Sequence, residues 1–284
     1  MPKKKQNVER QFSHLAKPYL VWLYILALFP AIVMFILIFF DSEGIDLKGA
    51  TFSLRNFSQL VEISTLIAFL NSIVLSILST IICAVLGYVV AYKLFKSKMK
   101  NKFIILTIII LPMWVNVLLR IEALGNIMEP NNMITGLLSK IGINLSINIR
   151  GTFIAVLLGL VFTYLPFMIL PIYTALEKVE TSLEEAALDL GLTHMQKFWK
   201  IIFPLSFKGI VTGSIMVLLP CLSGFAIPEI LGKGNILMIG NVIEQMFKNM
   251  NYNIGALIAM IILIIITISI LIVNKFDKEG ETLI

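Results

Sequence analysis

The sequence predicts an all-α integral membrane protein with six transmembrane helices, and three observations carry that expectation. The first is composition: 58% of the 284 residues are hydrophobic and 14% charged, with a mean hydropathy of +0.93. Water-soluble domains carry about 25% charged residues, so the solvent of this chain is mostly lipid. The second is segmentation: six stretches, 19–40, 63–92, 103–119, 151–176, 209–228 and 254–273, contain no Asp, Glu, Lys or Arg. About 20 apolar residues cross a bilayer core, and a helix satisfies its own backbone there. The third is the distribution of charge between the stretches.

Taken in order, the tail 1–18 carries Lys3, Lys4, Lys5, Arg10 and Lys17. The first stretch ends Ile36-Leu37-Ile38-Phe39-Phe40, too long and without the small-residue pattern of a cleaved signal, so it is read as a retained span. The second runs into Lys93, Lys96, Lys98, Lys100 and Lys102; the third is the shortest. The fourth leads to a loop with Lys178, Lys197, Lys200 and Lys208, and the sixth to a tail, 275–284, with Lys275 and Lys278. Together these segments hold 16 of the 23 basic residues, with a net charge of about +7 against about −1 on the other side. Both termini are therefore expected in the cytoplasm, and an even number of spans agrees with their lying on one side. The pI near 9.2 follows from membrane topology and not from nucleic-acid binding. Cys83 and Cys221 both fall inside apolar stretches, which argues against a disulfide, and His14 and His194 stand apart from other ligand types, so no metal site is expected. The domain is read as 19–274, with the loop 177–208 projecting from it.

That loop is the most informative segment. Ser182 with Glu185 has the spacing of a capping box, Gly191 suits the left-handed position that ends a helix, and Thr193 with Gln196 repeats the box. Pro204 marks the end of the second helix or the start of the next element. The expectation is a helix, a sharp elbow and a second helix at the membrane surface. An amphipathic hairpin resting on lipid headgroups is the alternative.

Glu185-Ala186-Ala187, Gly191 four residues on, then Ile201 and Pro204 resemble the EAA loop of binding-protein-dependent ABC import permeases. Phe203 stands where that family usually has leucine. Asn71-Ser72-Ile73 through Gly87-Tyr88, Leu111-Pro112-Met113-Trp114-Val115-Asn116, Tyr164-Leu165-Pro166-Phe167 and Phe225-Ala226-Ile227-Pro228 are similar to the spermidine/putrescine branch, and to the first of its two permeases. These runs are shared in part with permeases for iron and opine-type compounds. After Arg120 the chain departs from the family's Thr-Tyr-Ala-Trp and reads Ile121-Glu122-Ala123-Leu124.

The resemblance implies a type I ABC importer permease fold with a cytoplasmic EAA coupling hairpin, in a bacterial inner (plasma) membrane. It implies a second homologous permease, two ATPase subunits docked on the hairpin through Glu185, Ala186, Ala187, Gly191, Ile201 and Pro204, and an extracytoplasmic solute-binding protein. The chain is then a transport subunit and not an enzyme. It binds no cofactor itself, and ATP and Mg act on the partner ATPase. In keeping with this, no Gly-x-x-x-x-Gly-Lys-Ser/Thr run occurs; Gly44 to Gly49 has the spacing but is followed by alanine.

Candidates for the solute path are Trp114, Asn116, Arg120, Glu122, Tyr164 and Glu229. A tryptophan face attracts an ammonium, and the alternative for Trp114 is an interfacial belt. Arg120 and Glu122 either line the path or pair with other loops, and Glu229 either attracts a cation or caps an outer helix. Ser72, Ser76, Ser79, Cys83, Gly87 and Ala91 form a small-residue stripe that suits close helix packing. Pro166 and Pro171 mark a kinked helix. Two other functions stay open: the same machine for another amine, an opine or iron, and an ion-driven carrier or membrane scaffold. The last would usually place charge within its spans, and these have none.

Overall fold

The structure, a computed structural model, describes residues 2–41, 51–130, 132, 135–137 and 148–276; the side chains of 2–16, 41, 59 and 272–276 are not among those described. The Gly44–Gly49 spacing and the tail beyond 276 therefore lie outside the described residues.

Helices dominate: α1 Pro2–Ile38, α2 Ile63–Lys96, α3 Lys102–Ile110, α4 Val117–Ile127, α5 Phe153–Glu177, α6 Thr181–Asp189, α7 His194–Lys197, α8 Phe203–Ser223, α9 Ala226–Gly232, α10 Ile239–Lys248 and α11 Tyr252–Phe276. Among the described residues, five segments are long and apolar enough to cross a membrane, and a sixth is a broken pair. The expected third span, 103–119, is corrected accordingly: α3 and a short 3-10 turn, Leu111–Trp114, meet α4 at 92°. Pro112 supplies no backbone donor, which interrupts the ladder. The Asn116 side chain then caps the new helix by accepting from the Leu118 amide at 2.8 Å. The expected fifth span, 209–228, is also corrected. Its helix begins earlier and stops at Ser223, where Gly224 turns extended and the separate helix α9 follows. Residues 2–18, read as a tail, continue α1 without a break.

The chain divides into two compact units, Met1–Glu62 with Gln245–Leu263, and Ile63–Glu244 with Ile264–Ile284. In the first, Leu37, Ile38, Ala256 and Leu257 form a small core. The last carbonyl of α1 finds a partner in Asn56, whose amide donates to the Ile38 oxygen at 2.8 Å and to the Phe40 oxygen just beyond the helix at 3.2 Å. Phe40–Asp41 and Thr51–Phe52 pair as a two-residue antiparallel ribbon.

The second unit is a bundle in which α2, α5 and α8 pack on one another around Leu75, Leu160, Met168, Ile172 and Val217. The small-residue stripe of α2 is buried, as packing requires: Ser72, Ser76, Ser79, Cys83, Gly87 and Ala91 all face inward. Between α5 and α8 the approach is closer still. A Cβ at position 209 would stand 2.6 Å from the Pro171 carbonyl oxygen and 2.9 Å from the Ile172 Cα.

Candidate functional site: the hairpin and the broken helix

The hairpin is built as the sequence suggests at its elbow and differently at its start. Gly191 has φ +82, the left-handed conformation that glycine adopts without penalty. The Leu192 amide donates to the Ala187 carbonyl at 3.1 Å and the Gly191 amide to Leu188 at 2.9 Å, the double bond pattern that closes a helix C-terminus. The box at Thr193 and Gln196 forms in both directions, at 3.3 and 3.0 Å.

The box expected at Ser182 and Glu185 does not form. The helix begins two residues earlier, with Glu180 at the cap and the Ser182 hydroxyl on the Glu180 carboxylate. On this helix Glu184 and Ala187 face inward, and Glu185 and Ala186 are exposed. Ala187 is thus packed against its own chain, and Ala186 alone of the two offers a small side chain to a partner. Pro204 does not end the second helix. The chain passes from α7 through a π turn, Phe198–Ile202, directly into α8, where Pro204 occupies the first turn and needs no amide partner. Ile201 is half-buried in that turn.

Three features of the hairpin escaped sequence reasoning. Leu190 is 84% exposed beside the elbow, with Met195 and Trp199 also outward, an apolar surface on a segment otherwise polar. The side chain of Glu184 is buried, and its Oε2 accepts from Lys197 at 2.9 Å and from Lys96 at the end of α2. An open groove of about 660 Å3 between α5 and α8 reaches the hairpin, with Pro171, Thr174, Lys178, Lys208 and Thr212 among its walls.

Burial pushes the Glu184 carboxyl up, but the hydrogen bonds from Lys96 and Lys197 outweigh it and hold the group below its ordinary 4.5. A depressed carboxylate stabilises fully above its unfolded value and loses that contribution as pH falls through the folded one. Hydrogen-exchange protection of the hairpin, corrected for the intrinsic rate at each pH, is therefore expected to hold level from pH 8 down to about 5 and to decline only below 4.5. A decline that begins between pH 6 and 7 would contradict the assignment.

At the opposite end of the bundle the path candidates are placed as follows. Trp114 is 87% exposed at the elbow of the broken helix. Arg120 reaches back across that elbow and donates from Nη1 to the Pro112 carbonyl at 2.8 Å. Glu122 forms a two-point pair with Arg150 at 2.9 and 3.0 Å. Arg150 also donates to Glu129 at 3.0 Å, and Glu129 accepts from Lys233 at 2.7 Å. These bonds hold Glu129 below the usual carboxylate range, Lys233 contributing most. Glu229, in the first turn of α9, accepts from Asn241 at 3.1 Å. Tyr164 is half-buried on α5, its ring 6.1 Å from Phe167. Trp114, Asn116 and Arg120 are thus brought together at one elbow; Glu122 and Glu229 are engaged with neighbours. Arg150, the hub of this network, carries no local sequence signal, since its partners lie 21 and 28 residues away.

Residues 83–279 match the family model of binding-protein-dependent transport system inner membrane components. The chain belongs to that family. The spermidine/putrescine transport system permease protein PotB of Haemophilus influenzae is 32% identical over 259 residues, covering 90% of this chain and 91% of that one. PotB of Escherichia coli is 32% identical over 88% of this chain and 92% of its own length. A sulfate transport system permease, CysT of Synechocystis, is 23% identical over 82% of each. Among solved structures, a bacterial ABC transporter involved in import of the polysaccharide alginate superposes with a TM-score of 0.78 at 17% identity, covering 98% of this chain and 99% of that one. The permease therefore has the fold of the ABC importer class: a multi-pass helical subunit of an inner-membrane transport system.

Proposed function

We propose that this permease carries spermidine or putrescine across a bacterial inner membrane, driven by ATP that a separate subunit hydrolyses. The observation that carries the mechanism is the hairpin 177–208. Its elbow turns at Gly191, with Glu185, Ala186 and Leu190 outward, and its backbone is continuous with the spans α5 and α8. An ATPase subunit gripping that surface moves both helices at once. A second permease completes the pair, a solute-binding protein delivers from outside, and ATP and Mg remain on the ATPase. Both termini lie in the cytoplasm, by the excess of Lys and Arg in the segments on the hairpin side. No nucleic acid takes part.

The substrate rests on likeness to the two PotB proteins. The geometry adds a condition. Glu122 and Glu129 are already paired with Arg150 and Lys233, so in this chain an incoming polyamine meets the Trp114 face sooner than a free carboxylate. Uptake of labelled spermidine by cells deleted for the gene, with and without its restoration, tests the reading. Loss and recovery support it. Unchanged uptake in a strain without another polyamine importer assigns the machine to a different solute.

Trp114→Ala is expected to raise the KM for spermidine about two- to thirtyfold, the equivalent of a cation–π contact of roughly 0.5–2 kcal/mol. An unchanged KM assigns Trp114 to the membrane interface.

A further inference from the structure

The hairpin is joined covalently to α5 and α8. A third attachment, to α2, is not covalent. Glu184, with a side chain 8% exposed, binds Lys96 of the last turn of α2 and Lys197 of the hairpin's second leg through one oxygen. Around it, Tyr92 meets Phe198 edge-on at 5.1 Å. Tyr88 meets Phe198 and Phe203 at 5.8 and 5.6 Å, with its hydroxyl 2.9 Å from Ser206. The last turns of α2 are thereby clamped to the hairpin and its π turn.

At its other end α2 holds backbone. Ser72 Oγ accepts from the Ile239 amide at 2.7 Å, and the Asn71 side-chain amide donates to the Leu237 carbonyl at 3.1 Å, just where α10 begins. From residue 72 to residue 96 the helix spans roughly 36 Å at 1.5 Å per residue. Of the three packed helices, α5 contains Pro166 and Pro171 and α8 contains Pro220, while α2 contains no proline. Prolines are where helices bend, so α2 is the stiffest of the three.

We propose that the Lys96–Glu184 bridge is a coupling joint, through which α2 carries the hairpin's motion to the backbone at 237–239 at the opposite membrane face. Stability alone does not call for such a bridge. The Lys96 end of the bridge is half-exposed, and such pairs contribute little to stability, while Glu184 Oε1 is buried with no hydrogen-bond partner among the described residues. The aromatic cluster would suffice for a static clamp. Glu184 and Lys96 act here as positioning residues, and the inference rests on the reading that the hairpin docks the ATPase.

The test uses the complete importer in proteoliposomes, with ATP hydrolysed per labelled spermidine accumulated as the readout and ATPase retained on purification as the control. Lys96→Met severs the link to α2 and leaves the Lys197–Glu184 pair inside the hairpin intact. Ser72→Ala releases the other end. Each is expected to raise the ATP cost per solute about fivefold or more with ATPase retention unchanged, and Lys96→Arg to restore the wild-type ratio. A wild-type ratio in either severed variant, or loss of ATPase from Lys96→Met, overturns the joint. A wild-type complex that accumulates no spermidine, or keeps no ATPase, instead overturns the functional reading beneath it.

Discussion

Gly209→Val sharply lowers the amount of permease that accumulates in the membrane. A side chain at 209 has nowhere to go: its Cβ would meet the Pro171 oxygen at 2.6 Å, the Ala175 Cβ at 2.7 Å and the Ile172 Cα at 2.9 Å. None of these is the movable end of a flexible side chain, so α5 and α8 must separate. Overpacking costs about 1–3 kcal/mol even where side chains yield, and a loss of that size lowers cellular abundance several-fold. Separation here also pulls apart the contacts of Met168 and Ile172 with the rest of the bundle. Immunoblots of washed membranes are expected to show a loss of about fivefold or more, on the order of that penalty, whatever substrate is supplied. Wild-type levels would mean that α5 and α8 do not approach this closely.

Gly191→Val has the opposite signature. The chain accumulates normally but transports poorly. A Cβ at position 191 would find no atom within 4 Å, so the added side chain meets open space and the bundle is untouched. What changes is the backbone. At φ +82 a non-glycine residue costs about 1–2 kcal/mol, more when β-branched, and the elbow escapes by straightening. That loses the Leu192–Ala187 and Gly191–Leu188 bonds and swings Leu190, Met195 and Trp199 away from their common surface. Uptake is expected to fall about tenfold or more, in step with roughly 1.4 kcal/mol or more of strain. Asparagine tolerates the left-handed region, so Gly191→Asn retains most of the activity. If Gly191→Val transports normally, the elbow does not set the docking geometry.

Much of the fold is legible in the sequence because the bilayer imposes it. Charge-free stretches of sufficient length have little choice but to become helices, and α2, α5 and α11 begin and end within four residues of the charge-free limits. What is not legible are the breaks. Pro112 announces a bend, but a 92° corner also needs Asn116 to cap the new helix and Arg120 to occupy the Pro112 carbonyl, and those bonds exist only once the corner is made. Gly224 ends α8 inside an apolar run that composition alone extends to 228.

The hairpin divides the same way. Gly191 and the Thr193 box are local and follow from spacing. The start of α6 is decided at long range. A box at Ser182 would place Glu185 against the first turn, whereas the observed register places Glu184 between Lys96 and Lys197, 88 and 13 residues away. Both bonds are charge-assisted, and they anchor the helix in its observed orientation. The same holds for Glu122 and Glu129, whose partner Arg150 no motif indicates.

If the hairpin converts ATP hydrolysis in a separate subunit into polyamine movement through the permease, transport and elbow geometry must fail together. The most direct measurement is accumulation of labelled spermidine in proteoliposomes holding the purified complex, with the binding protein on one side and ATP on the other. Accumulation against a gradient is expected to require ATP and to fall about tenfold or more with the Gly191→Val permease, although that permease is recovered from the membrane in wild-type amount. Accumulation without ATP, or an undiminished rate in the Gly191→Val complex, would contradict a hairpin that transmits the work of the ATPase.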